Sequence, residues 1–133
     1  MTPYVDGYVL PIKKDKLNEY KEMAIKGGEI WMKHGALSYF ECAGDDLTPH
    51  MGEHVEGDAM QIMTFPDLMK TSPDETVVFA FVIYESRAHR DEVNAKVMAD
   101  PEMDPAQYEG KEMPMDPSRM AYGGFTSIVH HQK

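Results

Sequence analysis

Asp6 is the residue whose setting most invites chemistry. It stands in the middle of Tyr4-Val5-Asp6-Gly7-Tyr8-Val9-Leu10, a run rich in aromatic and β-branched residues that reads as a strand, where acids are depleted. Side chains alternate along a strand, so Tyr4, Asp6, Tyr8 and Leu10 share one face and Val5, Gly7 and Val9 the other. A buried carboxylate is costly unless it is paired or hydrogen-bonded. Asp6 is therefore either a cavity acid or base with Tyr8 and Tyr39 as helpers, or a structural anchor for Arg119, a tyrosine hydroxyl or a backbone amide. Glu41 poses the same choice and, with Trp31 and Arg119, makes up the candidate ligand-binding set. The small apolar set of the first strand suits packing under helices, and the aromatic and acidic set is expected to face a barrel shared with a second copy.

His50-Met51-Gly52-Glu53-His54 is the sharpest cluster of metal-ligating types. Two histidines and a glutamate can hold zinc or another divalent cation, with Glu56 or Asp58 nearby. The spacing is not specific: histidines four apart meet only on a helix, Gly52 disfavours one, and the Glu of the His-Glu-x-x-His motif is not in place. His50, Glu53 and His54 are thus a metal set in competition with a solvated loop. No other cofactor is called for. Cys42 lies in a strand-like run, where a thiol serves more often as a small hydrophobe than as a nucleophile. Gly27-Gly28 and Gly123-Gly124 lack the spacing and setting of a phosphate loop.

The elements that must position these residues follow from pattern. A chain of 133 residues with 42% hydrophobic content fits one domain with one core. Its net charge of -10 repels phosphate backbones and anionic membranes, so neither nucleic acid nor membrane is an expected partner. The lysines Lys13, Lys14 and Lys16 read as solvated. No apolar run nears the ~20 residues of a membrane span, and no signal-peptide pattern is visible, so a cytoplasmic location is expected. With Cys42 alone, no internal disulfide forms.

After the first strand, Leu17, Tyr20, Ala24, Gly27, Trp31 and His34 recur at helical steps, with Gly35 as the stop. Glycines inside a helix each cost about 1 kcal/mol relative to alanine, so Gly27-Gly28 implies a close packing contact. Residues 36–43 read as a second strand and 45–75 as a long connection, with one helical turn at 65–70. Residues 76–84 are apolar on both faces, the mark of a central strand covered on both sides. Ser86 caps a second helix carrying Ala88, Val93, Val97 and Met98, with His89 where a full capping box has Glu. Residues 99–119 form a proline-rich loop. Residues 120–129 read as the last strand, where Gly123-Gly124 marks a bulge or a close backbone approach. The order is β-α-β-β-α-β, a ferredoxin-like α+β arrangement with an antiparallel sheet and helices on one face. The second face of the central strand then needs a cover, and a second copy of the sheet supplies one, hence a homodimer.

Several stretches resemble one family, DUF1428 (YbaA-like): Tyr4 to Val9, Trp31 with His34-Gly35-Ala36-Leu37, Glu41-Cys42 before Gly44-Asp45-Asp46, Asp74 to Phe79, Val93 to Met98, and Arg119 to Phe125. Together they span most of the chain. The resemblance implies a dimeric α/β-barrel fold shared with small monooxygenases, haem-degrading enzymes and stress-responsive binding proteins. It brings no active site to carry over. The stretch from Leu47 to Met63 departs from it by its length. Fold does not fix function. The leading expectation is a small molecule bound or transformed in a barrel cavity, monooxygenase-like by fold analogy. The alternatives are a non-catalytic ligand-binding or stress-response dimer, and a metal-binding protein using the His50 and His54 loop.

Overall fold

Strand β1 runs over Tyr4–Lys13 in the computed structural model, which describes residues 2–48 and 62–133. It is longer than the pattern implies because Pro11 continues it. Pro11 pairs with Val77 on one side, while pairing on the other side ends at Val9 opposite Ala121. Proline is tolerated where one edge has no ladder to complete. One tight turn leads into helix α1, Leu17–Lys33. Gly35 ends it at φ 114°, a conformation that favours glycine. There follow β2 (Ser38–Ala43), a short α2 (Phe65–Met69), β3 (Glu75–Tyr84), α3 (Arg87–Met98) and β4 (Ala121–Thr126). Ser86 caps α3 by accepting from the His89 amide at 3.1 Å, and His89 Nδ1 accepts from the Glu85 amide at 3.0 Å. Histidine thus does the reciprocal work of a capping-box glutamate, one residue further out.

The sheet has the order β2-β3-β1-β4, with every neighbouring pair antiparallel. This is the ferredoxin-like arrangement read from the sequence. Helices α1 and α3 cover one face. Ile30, Val93 and Val97 pack with Tyr4, Val82 and Tyr84, and Tyr20 and Ala24 pack with Leu10, Ile12 and Val78. Short α2 lies on the other face, where Phe65 rests 6.2 Å from Phe79, ring centre to ring centre.

The faces of β1 are the reverse of the expectation. Tyr4, Asp6, Tyr8 and Leu10 point under the helices, and Val5, Gly7 and Val9 point to the open side. Bulk decides this. The space under two helices has to be filled, and large side chains fill it. Gly124 makes room for one of them: a methyl there would sit 2.9 Å from the Tyr4 ring. The Gly123-Gly124 pair is therefore a close approach without a bulge, since the register runs unbroken through Gly7↔Gly123 and Asp6↔Gly124. The open face carries Phe40, Phe79 and Phe125, exposed by 48%, 43% and 61%. Central β3 is thus covered fully on one side only. On α3, Met98 is exposed, contrary to its place in the apolar stripe.

Residues 99–120 hold together by local bonds. Asp100, Asp104 and Asp116 each precede a proline and cap a single helical turn, accepting from the amides of Glu102, Ala106 and Ser118 at 2.9, 2.9 and 3.0 Å. Two charged residues of the segment, Asp100 and Arg119, tie it down. Asp100 meets His34 Nε2 at 2.7 Å and Lys33 at 3.3 Å, and Arg119 meets Glu75 at 2.6 Å. Arg119 also donates to the carbonyls of Met69 and Lys70 at 3.2 Å.

These bonds set an acid limit on stability. The Arg119 bond, then the Ser72 amide, lower Glu75 from 4.5 to about 2. The His34 bond, then the Glu102 amide, lower Asp100 from 3.8 to about 2. A carboxyl depressed on folding stabilises the protein fully above its unfolded pKa, and that stabilisation drains away as pH falls through the folded value. The thermal midpoint is expected to hold down to about pH 5 and then to fall steadily towards about pH 2. Glu75→Gln should flatten part of that decline. A wild-type midpoint constant across the interval, or an unchanged slope in Glu75→Gln, would contradict it.

Candidate functional site

Between α1, the sheet and the 99–120 segment lies a cavity of about 300 Å³. Its floor is sheet: Tyr8, Leu10, Ala80 and Val82. One side is helix α1, with Tyr20, Met23, Gly27 and Trp31; the other is Met103, Tyr108, Met113, Met115 and Met120. The lining is mostly apolar, and thioethers adapt to irregular shapes.

Its polar content is concentrated. Glu41 accepts from the Tyr20 hydroxyl at 2.6 Å and from the Tyr39 hydroxyl at 2.7 Å, one on each carboxylate oxygen. Burial raises both phenols well above their ordinary range, and the neighbouring Glu41 raises them further through its charge and its hydrogen bonds. They stay protonated and act as donors. Tyr8 is raised too, by burial first and then by the charge of Asp6. Its hydroxyl has no protein hydrogen-bond partner among the described residues, and the residue lines the cavity.

The closeness of α1 to β2 fixes Tyr39. A methyl on Gly28 would lie 2.9 Å from Tyr39 Cδ1, and one on Gly27 would lie 3.3 Å from its hydroxyl. The Trp31 ring stands 6.1 Å from that of Tyr39, and its indole N–H donates to Asn94 at 3.3 Å.

Asp6 stands behind this wall. It is fully buried, and Arg90 of α3 donates to its Oδ1 at 2.7 Å. Among the described residues its Oδ2 has no hydrogen-bond partner. Arg90 also reaches the Tyr122 hydroxyl at 2.9 Å and lies 4.9 Å over the Tyr4 ring. The Tyr122 ring stacks on Tyr8 at 4.7 Å. The partner of Asp6 is thus Arg90 and not Arg119, which is held by Glu75 outside the cavity wall.

The structure therefore brings Tyr8, Trp31, Tyr39 and Glu41 together at one cavity. It places Asp6 one layer back and Arg119 elsewhere. Cys42 is exposed. Among the described residues no group of three or more His, Cys, Asp or Glu is placed to hold a metal. His50, Glu53 and His54 lie outside the described residues. Tyr20, Met23 and the methionines of 103–120 escaped the sequence reading as site residues, as did Arg90. Arg90 had a signal: it lies three and seven residues before Val93 and Val97, on the same helical face.

The fold and the cavity define a ferredoxin-like α+β protein with a ligand-sized pocket under its helices. The crystal structure of a dimeric ferredoxin-like protein from an uncultured marine organism has the same fold, with a TM-score of 0.58 at 8% identity, covering 98% of this chain and 100% of that one. The chain belongs to the family described as "Protein of unknown function (DUF1428)", whose model matches residues 3–117. It is 37% identical over 126 residues to "Uncharacterized protein YbaA" of Escherichia coli strain K12, covering 95% of this chain and 97% of that one. The protein of that name in Shigella flexneri matches to the same extent.

Removing one partner of a buried ion pair leaves the other charge uncompensated, at a cost of about 3–5 kcal/mol. Arg90→Met is expected to lose that much stability by urea unfolding, and Asp6→Asn less, because its amide can still meet Arg90. A loss below about 1 kcal/mol in Arg90→Met would mark the pair as no more than a surface contact.

Proposed function

We propose that the protein binds a small, mostly apolar molecule in the cavity between α1 and the sheet, and does so as a homodimer joined through the opposite sheet face. The cavity carries the first part. Its size falls at the lower end of ligand sites, about 300–1,000 Å³, and its walls combine apolar side chains with a few convergent polar groups. Tyr8 offers a hydroxyl to the occupant, and Glu41 offers acceptor capacity. Binding, rather than proton abstraction, is the reading the wall supports best. Both nearby carboxyl groups are already engaged, Asp6 by Arg90 and Glu41 by two tyrosine hydroxyls.

The chain has one tryptophan, Trp31, in the cavity wall. N-phenyl-1-naphthylamine, a neutral probe that brightens in apolar surroundings, is expected to bind and to quench Trp31 emission. Ala80→Phe, which fills the floor, should abolish both effects with the circular dichroism unchanged. A probe that does not bind, or that binds Ala80→Phe equally well, would overturn the reading.

The dimer is supported by the open face. Phe40 and Phe81 stack there at 4.6 Å, and Phe79 lies 5.7 Å from Phe81. Contiguous exposed apolar surface of this kind is characteristic of interfaces. The neighbour of the same fold from a marine organism is described as dimeric. Sedimentation equilibrium is expected to give twice the 15.1 kDa chain mass, and Phe79→Asp to give the single chain. A wild-type monomer at micromolar concentration would overturn this part.

A further inference from the structure

We propose that the molecule taken by this cavity is an organic cation: an alkyl or arylalkyl amine in its ammonium form, with Glu41 as its counter-ion. The inference rests on the pocket reading above and names the class of ligand.

Glu41 is the only charged side chain lining the cavity among the described residues. No ion pair among those residues includes it. The two groups that bond to it, Tyr20 and Tyr39, are neutral donors, and donors of this kind orient a carboxylate without cancelling its charge. A carboxylate has about four lone-pair sites, so acceptor capacity remains on both oxygens. The cavity thus holds a half-buried carboxylate that no cationic side chain pairs with among the described residues.

The rest of the lining has the same preference. Tyr8, Trp31, Tyr39 and Tyr108 contribute aromatic rings, whose faces attract cations. Methionine sulfurs from Met23 to Met120 add polarisable surface around an apolar body. The chain's net charge of -10 adds a field of the same sign over longer range. An anion would meet repulsion from Glu41 and from the ring faces. A neutral molecule would gain the apolar contacts but leave the charge of Glu41 without a partner.

Three ligands of matched shape separate these cases: octylammonium, 1-octanol and octanoate, each competing against N-phenyl-1-naphthylamine for the wild-type protein. Octylammonium is expected to bind at least about tenfold tighter than 1-octanol, and octanoate weakest. Glu41→Gln should bring octylammonium down to the level of 1-octanol measured on the same variant, whose circular dichroism checks that it is folded. If 1-octanol binds wild type as well as octylammonium does, or if the advantage survives Glu41→Gln, the cation assignment is overturned and the pocket reading stands. If neither the probe nor any of the three binds, both are overturned.

Discussion

The approach of α1 to the sheet at Gly28 is the constraint on which the candidate site depends. A side chain there would collide with the Tyr39 ring. Glycine in a helix costs about 1 kcal/mol, and overpacking a filled interior costs about 1–3 kcal/mol, so the glycine is the smaller loss. With the helix that close, Tyr39 has one position. Its hydroxyl then falls 2.7 Å from Glu41, and the Tyr20 hydroxyl reaches the same carboxylate from the helix side. A spacing set by a missing methyl group thus determines where the polar centre of the cavity stands.

The two faces of the sheet do different work, and β1 shows why. Its large polar and aromatic side chains lie inward, where a buried charge pair and hydrogen bonds can satisfy them. Asp6 is tolerated there because Arg90 enters from α3. That same arginine holds the Tyr122 hydroxyl, and Tyr122 backs Tyr8. The pair therefore supports the cavity wall from behind while staying out of the cavity. The outward face has no such polar demands. It is mostly apolar, led by phenylalanine and valine, and suited to burial against another apolar surface.

Much of the fold was legible in the sequence, because the signals were periodic or conformational. The alternating strands, the helical face from Leu17 to His34, Gly35 as a stop and Ser86 as a cap all follow from local rules, and the structure has them. The packing meaning of Gly27-Gly28 and Gly124 was legible for the same reason. The inward face of β1 was not, since alternation sorts side chains into two sets without saying which set meets the helices. Four residues of the candidate site, Tyr8, Trp31, Tyr39 and Glu41, stood out by type. The methionines of 103–120 did not. They sit in a segment without periodicity, and only the folded chain shows that they face the same space as Tyr8. The partner of Asp6 was likewise a matter of long-range geometry, 84 residues away in sequence.

That same segment, the flank of the cavity from 99 to 120, has no ladder to hold it, yet it folds against α1 and the sheet. Its three Asp-Pro steps explain how. Proline restricts its own φ before folding begins, and it biases the residue before it towards extended backbone. Asp100, Asp104 and Asp116 are in that extended conformation. Part of the ordering has thus been done in the unfolded chain, so the flank loses less conformational entropy on folding than an unconstrained loop would. A wall without a ladder is thereby stabilised through the conformations its unfolded chain cannot adopt.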